Sequence, residues 1–488
     1  MNRLLSRRAD APATLVLVIV CAGVVLASLD LFIVNVALPA MGRSLHAGNL
    51  ADLSWVLNGY AIVYAALLVP FGRLAESRHR DDAFLLGVVV FTAASAACGL
   101  ATDLPMLVIF RLVQAAGAAL LTPASLSLVL ATTEPTRRHG AVRAWTAVGG
   151  VAAALGPVLG GLLVALSWRW VFFVNVPVGI VAIAVGRRRL PHVAGHPAPR
   201  PDAVATTLVT IGVSALTLGL VKGGDWGWGS GATLGCLAGA LVVLSLFARS
   251  CMTSDNPLID ARLFAVRTFT GASIVSLVFS IAFGAMLLSR VLYAEEVWHW
   301  SALRTGLSIA PGPIMVPLFA FLLAGPLIAR VGPGRVIAAG SILFAAGAAW
   351  WTLSATIAPH YVQDMLGGII LTGIGVGLTL PTFMAAGAAA LPAHAFATGS
   401  AVINMLRQIG LVVGVAVLVA VIGTPRGDPA TLTAYRHGWE MITLAALLAA
   451  ACGAVLLGRR PPAAAPEPSP GPLARPESIA VGGASPAA

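Results

Sequence analysis

Residues 14–39 read TLVLVIVCAGVVLASLDLFIVNVALP, an apolar run with a single charged side chain, Asp30. A helix needs about 20 predominantly apolar residues to cross the hydrocarbon core of a bilayer, so this run is long enough to span and carries a carboxylate inside. Arg3, Arg7 and Arg8 precede it, as in a signal peptide. The run is nevertheless too long for a secretory h-region and ends without a clear cleavage site. It reads as a first spanning helix.

The rest of the chain continues the pattern. Of 488 residues, 58% are hydrophobic and 10% charged, where a soluble domain carries about 25% charged residues. Mean hydropathy is +0.91. These values exclude disorder, a fibrous protein, a disulfide-rich secreted module and an ordinary soluble enzyme. Further spans fall at 53–72, 83–101, 104–130, 142–166 and 170–186, then at 202–221 and 231–250. Six more follow at 269–292, 305–329, 336–358, 364–389, 396–423 and 437–458. The expectation is an all-α integral membrane protein with fourteen transmembrane helices, the sixth beginning somewhat before Trp170.

The net charge of +11 is a topology signal before it is a sign of nucleic acid. With the N-terminus inside, twenty-one of the thirty basic residues fall in inner segments and seven in outer ones, Arg290 and Lys222 among the latter. Such a bias over short loops orients the chain with both termini cytoplasmic. Trp55, Trp168, Trp170, Trp226, Trp228, Trp298, Trp300 and Trp439 fall at outer ends of spans, where an amphipathic ring prefers the interface. The five cysteines form no CxxC pair or metal spacing and read as small packing residues. Residues 459–488, rich in Pro and Ala, read as a disordered cytoplasmic tail, and 1–13 as a cytoplasmic N-terminus.

An internal echo groups the spans. Gly72-Arg73-Leu74-Ala75-Glu76 closes the second, and Gly325-Pro326-Leu327-Ile328-Ala329-Arg330 closes the tenth. The glycine-rich fifth span echoes the thirteenth, with Gly399, Gly410 and Gly414. The expected organisation is a six-helix half at 14–190, two inserted helices at 202–250 and a second half at 269–458. Parallel halves of this kind place a transporter's substrate site between them at the midplane.

Intramembrane polar residues are few. Asp30 is the one acid deep inside a predicted span, and an ionised carboxylate there is costly unless paired or wet. Arg111, in the fourth span, lies at a compatible depth: both are roughly 9–14 Å below the outer ends of their helices at 1.5 Å per residue. The pair either exchanges charge bias during a proton cycle, locks two helices permanently, or does not touch. Asn35, Gln114 and Asn175 line a cavity or hydrogen-bond between helices. Arg407-Gln408 in the thirteenth span reads as substrate contact, helix contact or a snorkelling cation. Small residues and Pro157 mark the fifth span as a close-packing, bent face.

These residues carry a resemblance. The chain is similar to the major facilitator superfamily and, within it, to the fourteen-helix drug:proton antiporters of the EmrB/QacA type. Leu29-Asp30-Leu31-Phe32-Ile33-Val34-Asn35-Val36-Ala37-Leu38-Pro39 resembles that subfamily's first-helix motif. Arg111-x-x-Gln114-Ala115-x-Gly117 resembles the fourth-helix motif, whose arginine is linked to proton coupling. Ala152-x-x-x-Gly156-Pro157-x-x-Gly160-Gly161 resembles the antiporter motif, with alanine for its first glycine. Trp168-Arg169-Trp170 through Asn175-Val176-Pro177-Val178-Gly179, Pro257-Leu258-Ile259-Asp260 and Gly399-Ser400 through Arg407-Gln408 match further signatures. The loop from Gly72 and Arg73 through Glu76 to Arg80 departs from the family's Gly-x-Leu-Ala-Asp-Arg-x-Gly-Arg-Arg, with Glu76 for aspartate, His79 for glycine and Asp81-Asp82 for basic residues. In the family this loop latches the inner face. Arg137 and Arg138 are candidate balancing partners.

The resemblance implies export of an amphipathic compound, cations included, in exchange for protons, by a protein of the plasma membrane that works as a monomer. The alternative is a dedicated exporter of one natural product, lipid or sugar. An importing symporter fits the fifth-span motif less well. No cofactor, metal or nucleic-acid partner is expected, and no GxxxxGK[ST] nucleotide motif occurs. His192 and His196 stand four apart among Pro191, Pro197 and Pro199, where no helix brings them onto one face.

Overall fold

The computed structural model describes residues 13–45, 50–77, 79–195, 202–254, 257–392, 395–423 and 428–458, without the side chains of Asn35 and Pro157 among others. Both terminal segments, 1–12 and 459–488, lie outside the described residues, as does His196. Everything described is helix or connecting turn, and no strand occurs among the described residues.

The first group comprises α1 (Ala13–Ser44), α2 (Leu50–Ser77), α3 (Arg80–Gly99), α4 (Leu104–Thr132), α5 (Arg138–Leu166) and α6, itself built from Trp170–Phe173 and Asn175–Arg189. Two helices follow, α7 (Ala203–Trp226) and α8 (Gly231–Thr253). The last group is α9 (Arg267–Leu292), α10, α11 (Pro333–Ser354), α12 (Gly367–Ala389), α13 (Phe396–Ile422) and α14 (Asp428–Leu457). Helix α10 is segmented into Ala302–Ile309, Pro311–Phe319, a π turn at Ala320–Ala324 and Gly325–Val331. Pro311, Pro317 and Pro326 withdraw backbone donors there, so the ladder shifts its register instead of continuing as one α-helix.

Local chemistry sets several ends. Asp103 caps α4 by accepting from Met106 N at 2.8 Å, and Asp202 caps α7 by accepting from Val204 N at 2.9 Å. Between α10 and α11 the chain turns at Gly332, with φ +85°, a conformation that glycine adopts without steric penalty. Several expected limits move: α1 runs through Pro39 to Ser44, α5 starts at Arg138, and α6 starts at Trp170 and no earlier, after a turn at Ser167–Arg169, and reaches Arg189.

Thirteen helices are long and apolar enough to cross a membrane over their described residues, against the fourteen expected. Helix α5, 29 residues long, is the one outside that set, and the side chains at 153, 154 and 157 within it are undescribed. The protein is a multi-pass membrane protein.

Packing follows a pattern that recurs eight helices on. In the first group α1 packs on α5, α2 on α4, α3 on α4 and α6; in the last, α9 packs on α13, α10 on α12, α11 on α12 and α14. Glycines set the tightest seams: a Cβ on Gly117 would lie 2.6 Å from Phe91 N, and one on Gly375 would lie 2.6 Å from Gly340 O. Between the groups, α2 meets α13 while α5 meets α10 and α12; α7 leans on both α2 and α13.

The tryptophans placed at outer ends by sequence differ in burial. Trp170, Trp226 and Trp228 are exposed, but Trp168, Trp298, Trp300 and Trp439 are buried. Trp439 packs with Tyr293, Tyr435 and Trp351 at ring-centroid distances of 5.0, 6.0 and 6.3 Å. Edge-to-face and tilted ring contacts hold the cluster together. Arg290 and Lys222, placed outside by sequence, are buried.

Candidate functional site

Five helices converge on Asp30. The carboxylate is completely buried, as are Arg111 and Gln114 from α4, with Asn175 from α6 close to it. Arg111 Nη1 donates to Asp30 Oδ2, Gln114 Nε2 donates to Asp30 Oδ1 at 2.9 Å, and Asn175 Nδ2 reaches the same oxygen at 3.3 Å. Arg111 Nη1 also meets Gln114 Oε1 at 2.8 Å, and its Nε donates to Val56 O of α2 at 3.1 Å. The guanidinium lies over the Tyr60 ring, 4.2 Å from its centroid. A dry ion pair survives only where good geometry and added hydrogen bonds offset desolvation. Here three donors and one aromatic face supply them.

The helices place these groups for local reasons. Arg111 and Gln114 stand three apart on α4 and so share a face. Asn175 opens the second segment of α6, directly after the break at Val174. Sequence reasoning missed Ser95 and Cys98 of α3, which complete the shell: Ser95 Oγ accepts from Asn175 Nδ2 at 3.1 Å and donates to Phe172 O at 2.9 Å, and Cys98 Sγ is 3.8 Å from Gln114 Oε1. Tyr60 was missed as well. Arg111 Nη2 and Asn175 Oδ1 find no hydrogen-bond partner among the described residues, which leaves the network capacity to rearrange. The Asn35 side chain lies outside the described residues.

Helix α5 holds the small-residue motif against α1. A Cβ on Gly160 would lie 3.1 Å from Ile33 O, and one on Gly149 would lie 3.2 Å from Val24. Ala152 and Gly156 are buried and Gly161 half-buried. Ala152 helps line an apolar cavity of about 170 Å³ with Val25, Val151 and Phe321, between α1, α5 and α10. The Pro157 side chain is undescribed.

At the arginine-rich end of the bundle, Glu76 joins the two groups. It is buried; its Oε1 accepts from Thr398 N at 2.8 Å, and its Oε2 accepts from the Thr398 hydroxyl. Thr398 lies in the first turn of α13, whose backbone N–H groups have no partner within the helix and whose dipole favours an anion. Arg73 Nη1 lies 3.6 Å from Glu76. Beneath it the helices touch: a Cβ on Gly72 would lie 2.7 Å from Ala401 Cβ and 3.0 Å from Ala397 O. Arg80 donates to Ser127 O at 3.5 Å, while Arg138 lies over the Phe396 ring at 5.0 Å. Arg137 instead pairs with Glu134 on the surface.

The divergent loop residues tie the loop to the segment after α6. Asp81 is buried, 3.0 Å from His192 Nδ1, and accepts from Val193 N at 3.3 Å. His79 and His192 stack at 3.9 Å, and with Asp82 each offers a donor atom within 4.8 Å of the others. Asp30 therefore has buried acidic company in Glu76, Asp81 and Asp364, all nearer helix ends.

Arg407 and Gln408 stand apart from the Asp30 network, on α13 facing α2. The titratable side chain acting on Arg407 is Tyr64, whose hydroxyl donates to Thr122 Oγ1 at 3.2 Å.

Comparison with known proteins agrees with this architecture. The chain is 31% identical over 414 residues to the tetracenomycin C resistance and export protein of Streptomyces glaucescens, covering 84% of this chain and 76% of that one. It is 33% identical over 451 residues to the cephamycin export protein CmcT of Amycolatopsis lactamdurans, covering 90% and 91%. It is 32% identical over 404 residues to the multidrug resistance protein Stp of Mycobacterium tuberculosis, covering 82% and 74%. The fold is similar to that of the human organic anion transporter MFSD10 (TETRAN), with a TM-score of 0.65 at 14% identity over 91% of this chain and 100% of that one. It is also similar to that of FucP in its outward conformation, with a TM-score of 0.60 at 14% identity over 89% and 98%. The sequence profile of the Major Facilitator Superfamily matches residues 20–415 and, in a second match, 296–482. The chain is a membrane transporter belonging to the Major Facilitator Superfamily and is related to its antibiotic and multidrug exporters.

Proposed function

We propose that the protein is a proton-coupled drug efflux transporter, a drug:proton antiporter of the fourteen-helix EmrB/QacA type. In this reading α5 is the fourteenth span. Residues 14–190 and 269–458 are two rocking halves, 202–250 is an inserted pair, and both termini face the cytoplasm of a plasma-membrane monomer. The recurrence of the packing pattern eight helices on and the second profile match support the two halves.

The observation that carries the coupling is the buried Asp30–Arg111 pair. The carboxylate takes hydrogen bonds from three donors, and its protonation removes the charge that fixes Arg111. The guanidinium is then free to turn toward other acceptors, so the proton changes which arrangement of the helices is most stable. Substrate enters between the halves near α5 and α13, with Arg407 and Gln408 facing it. Glu76 of α2, bound to Thr398 of α13, closes the arginine-rich end, with Gly72, Arg73 and Arg80 around it.

A second reading, a dedicated exporter of one natural product, is favoured by relatives named for single antibiotics, tetracenomycin C and methylenomycin A among them. Proteoliposomes with an imposed pH gradient test the coupling. Wild-type protein is expected to move an amphipathic dye against its gradient until an ionophore collapses the pH difference. Asp30→Asn is expected to remain folded and lose that dependence. Full pH-driven flux by Asp30→Asn would overturn the proposal.

A further inference from the structure

The charges inside the membrane are distributed unevenly between the halves. In the first, Asp30 and Arg111 neutralise each other. In the second, Arg407 stands near the middle of α13, eleven residues from Phe396, or roughly 16 Å at 1.5 Å per residue. It is farther still from the other end of this 27-residue helix. A guanidinium on three methylenes does not reach either interface from there, which removes snorkelling as its explanation.

No static partner explains it either. Arg407 Nε is buried without a hydrogen bond, and among the described residues no carboxylate pairs with the guanidinium. Tyr64, the titratable side chain facing it, has its hydroxyl engaged with Thr122. Next to it Gln408 is 5% exposed, and its Oε1 lacks a partner. Asn404, one turn earlier on the same face, holds Ser400 O at 2.9 Å and leaves Oδ1 unmet. Amide oxygen and nitrogen are interchangeable by rotation, so Gln408 offers a second donor to whatever occupies this face. Arg290 on α9 repeats the theme: its contacts are Met286 Sδ at 3.4 Å, Ile309 O at 3.5 Å and the Trp351 ring, and no ion pair reaches it among the described residues.

Arg407 is half-buried, with its Nε fully enclosed; a cation at that depth without a counter-ion is costly, and its retention is explained by an anion that is present during part of the cycle. We propose that Arg407, assisted by the Gln408 amide, binds the acidic oxygen of the exported compound, so the substrates are amphipathic weak acids and not cations. This rests on the export reading above and supplies its substrate class. It also revises the expectation that cations are included: Asp30, the acid a cation would need, is fully engaged by Arg111, Gln114 and Asn175.

The test uses two xanthene dyes of one ring system and opposite charge, anionic fluorescein and cationic rhodamine 123. Binding to the purified full chain is read by fluorescence polarisation, and transport in proteoliposomes under a pH gradient. Fluorescein is expected to bind the wild type, at least tenfold more weakly to Arg407→Gln, with partial recovery in Arg407→Lys. Asp30→Asn is expected to keep fluorescein binding and lose its transport. Size-exclusion and melting profiles identify any variant that misfolds, in which case the Arg407→Lys and wild-type comparison of the two dyes decides. Equal fluorescein affinity in wild type and Arg407→Gln overturns the proposal, as does tight binding of rhodamine 123 with none of fluorescein. Arg407-dependent fluorescein binding without pH-driven transport of either dye upholds the site and instead defeats the export reading.

Discussion

Glu76→Ala removes the carboxylate that ties α2 to the N-terminus of α13. Two hydrogen bonds go with it, from Thr398 N and from the Thr398 hydroxyl. A hydrogen bond to a charged group contributes about 1.5–3 kcal/mol net, because water takes over when it breaks. Arg73, 3.6 Å away and 19% exposed, adds little to such a pair. The closed arrangement of the arginine-rich end should therefore lose about 3 kcal/mol relative to the open one, close to a hundredfold change in their ratio. Glu76→Gln keeps an acceptor oxygen but loses the charge, and about tenfold is expected. Ala401 reports the change, since it is buried against Gly72 and becomes accessible only when α2 and α13 part. In a cysteine-free background carrying Ala401→Cys, labelling by a small polar maleimide is measured in membrane fragments open at both faces. The rate should rise about a hundredfold with Glu76→Ala and about tenfold with Glu76→Gln, on the hydrogen-bond energies above. Equal rates in all three proteins would show that Glu76 does not hold the latch.

Other perturbations separate coupling from packing. Arg111→Lys keeps the charge but loses the planar fork that holds Asp30, Gln114 and Val56 O together; pH-driven flux should fall at least tenfold with an unchanged elution profile. Gly414→Val forces a Cβ to within 2.0 Å of Ile281 O unless α9 and α13 separate. Overpacking of that kind costs about 1–3 kcal/mol, so the melting temperature in detergent should drop by several degrees. Trp439→Ala empties the centre of the aromatic cluster with Tyr293, Tyr435 and Trp351, at about 3–5 kcal/mol, and differential scanning fluorimetry should register it as a lower melting point.

Much of this was legible in the chain because the bilayer simplifies the reading. Run lengths located nearly every helix, and depth along α1 and α4 placed Asp30 and Arg111 on one level. Helix rotation was not legible: Ser95 and Cys98 sit in an unremarkable run of small residues, and only the packing of α3 on α4 and α6 turns them toward Gln114 and Asn175. Nor was the Glu76–Thr398 contact, which joins residues 322 apart in sequence. The sequence shows that aspartate is replaced there, and the structure shows the longer side chain reaching a helix terminus. The neighbours of Trp439 were hidden for a related reason, because its position in an apolar run says nothing about which rings surround it.

The side chains that hydrogen-bond the Asp30 carboxylate of α1 come from α4 and α6, and groups that steady the network come from α2 and α3. Nothing on α9–α14 takes part among the described residues. In the proposed antiporter, the residues assigned to the proton and the Arg407–Gln408 pair assigned to the substrate therefore occupy different parts of the gene. On that proposal, mutations under selection for a new compound can accumulate around Arg407 on α13 while the Asp30 network is inherited unchanged. Lineages descending from such a protein should diverge in what they expel long before they diverge in what powers them.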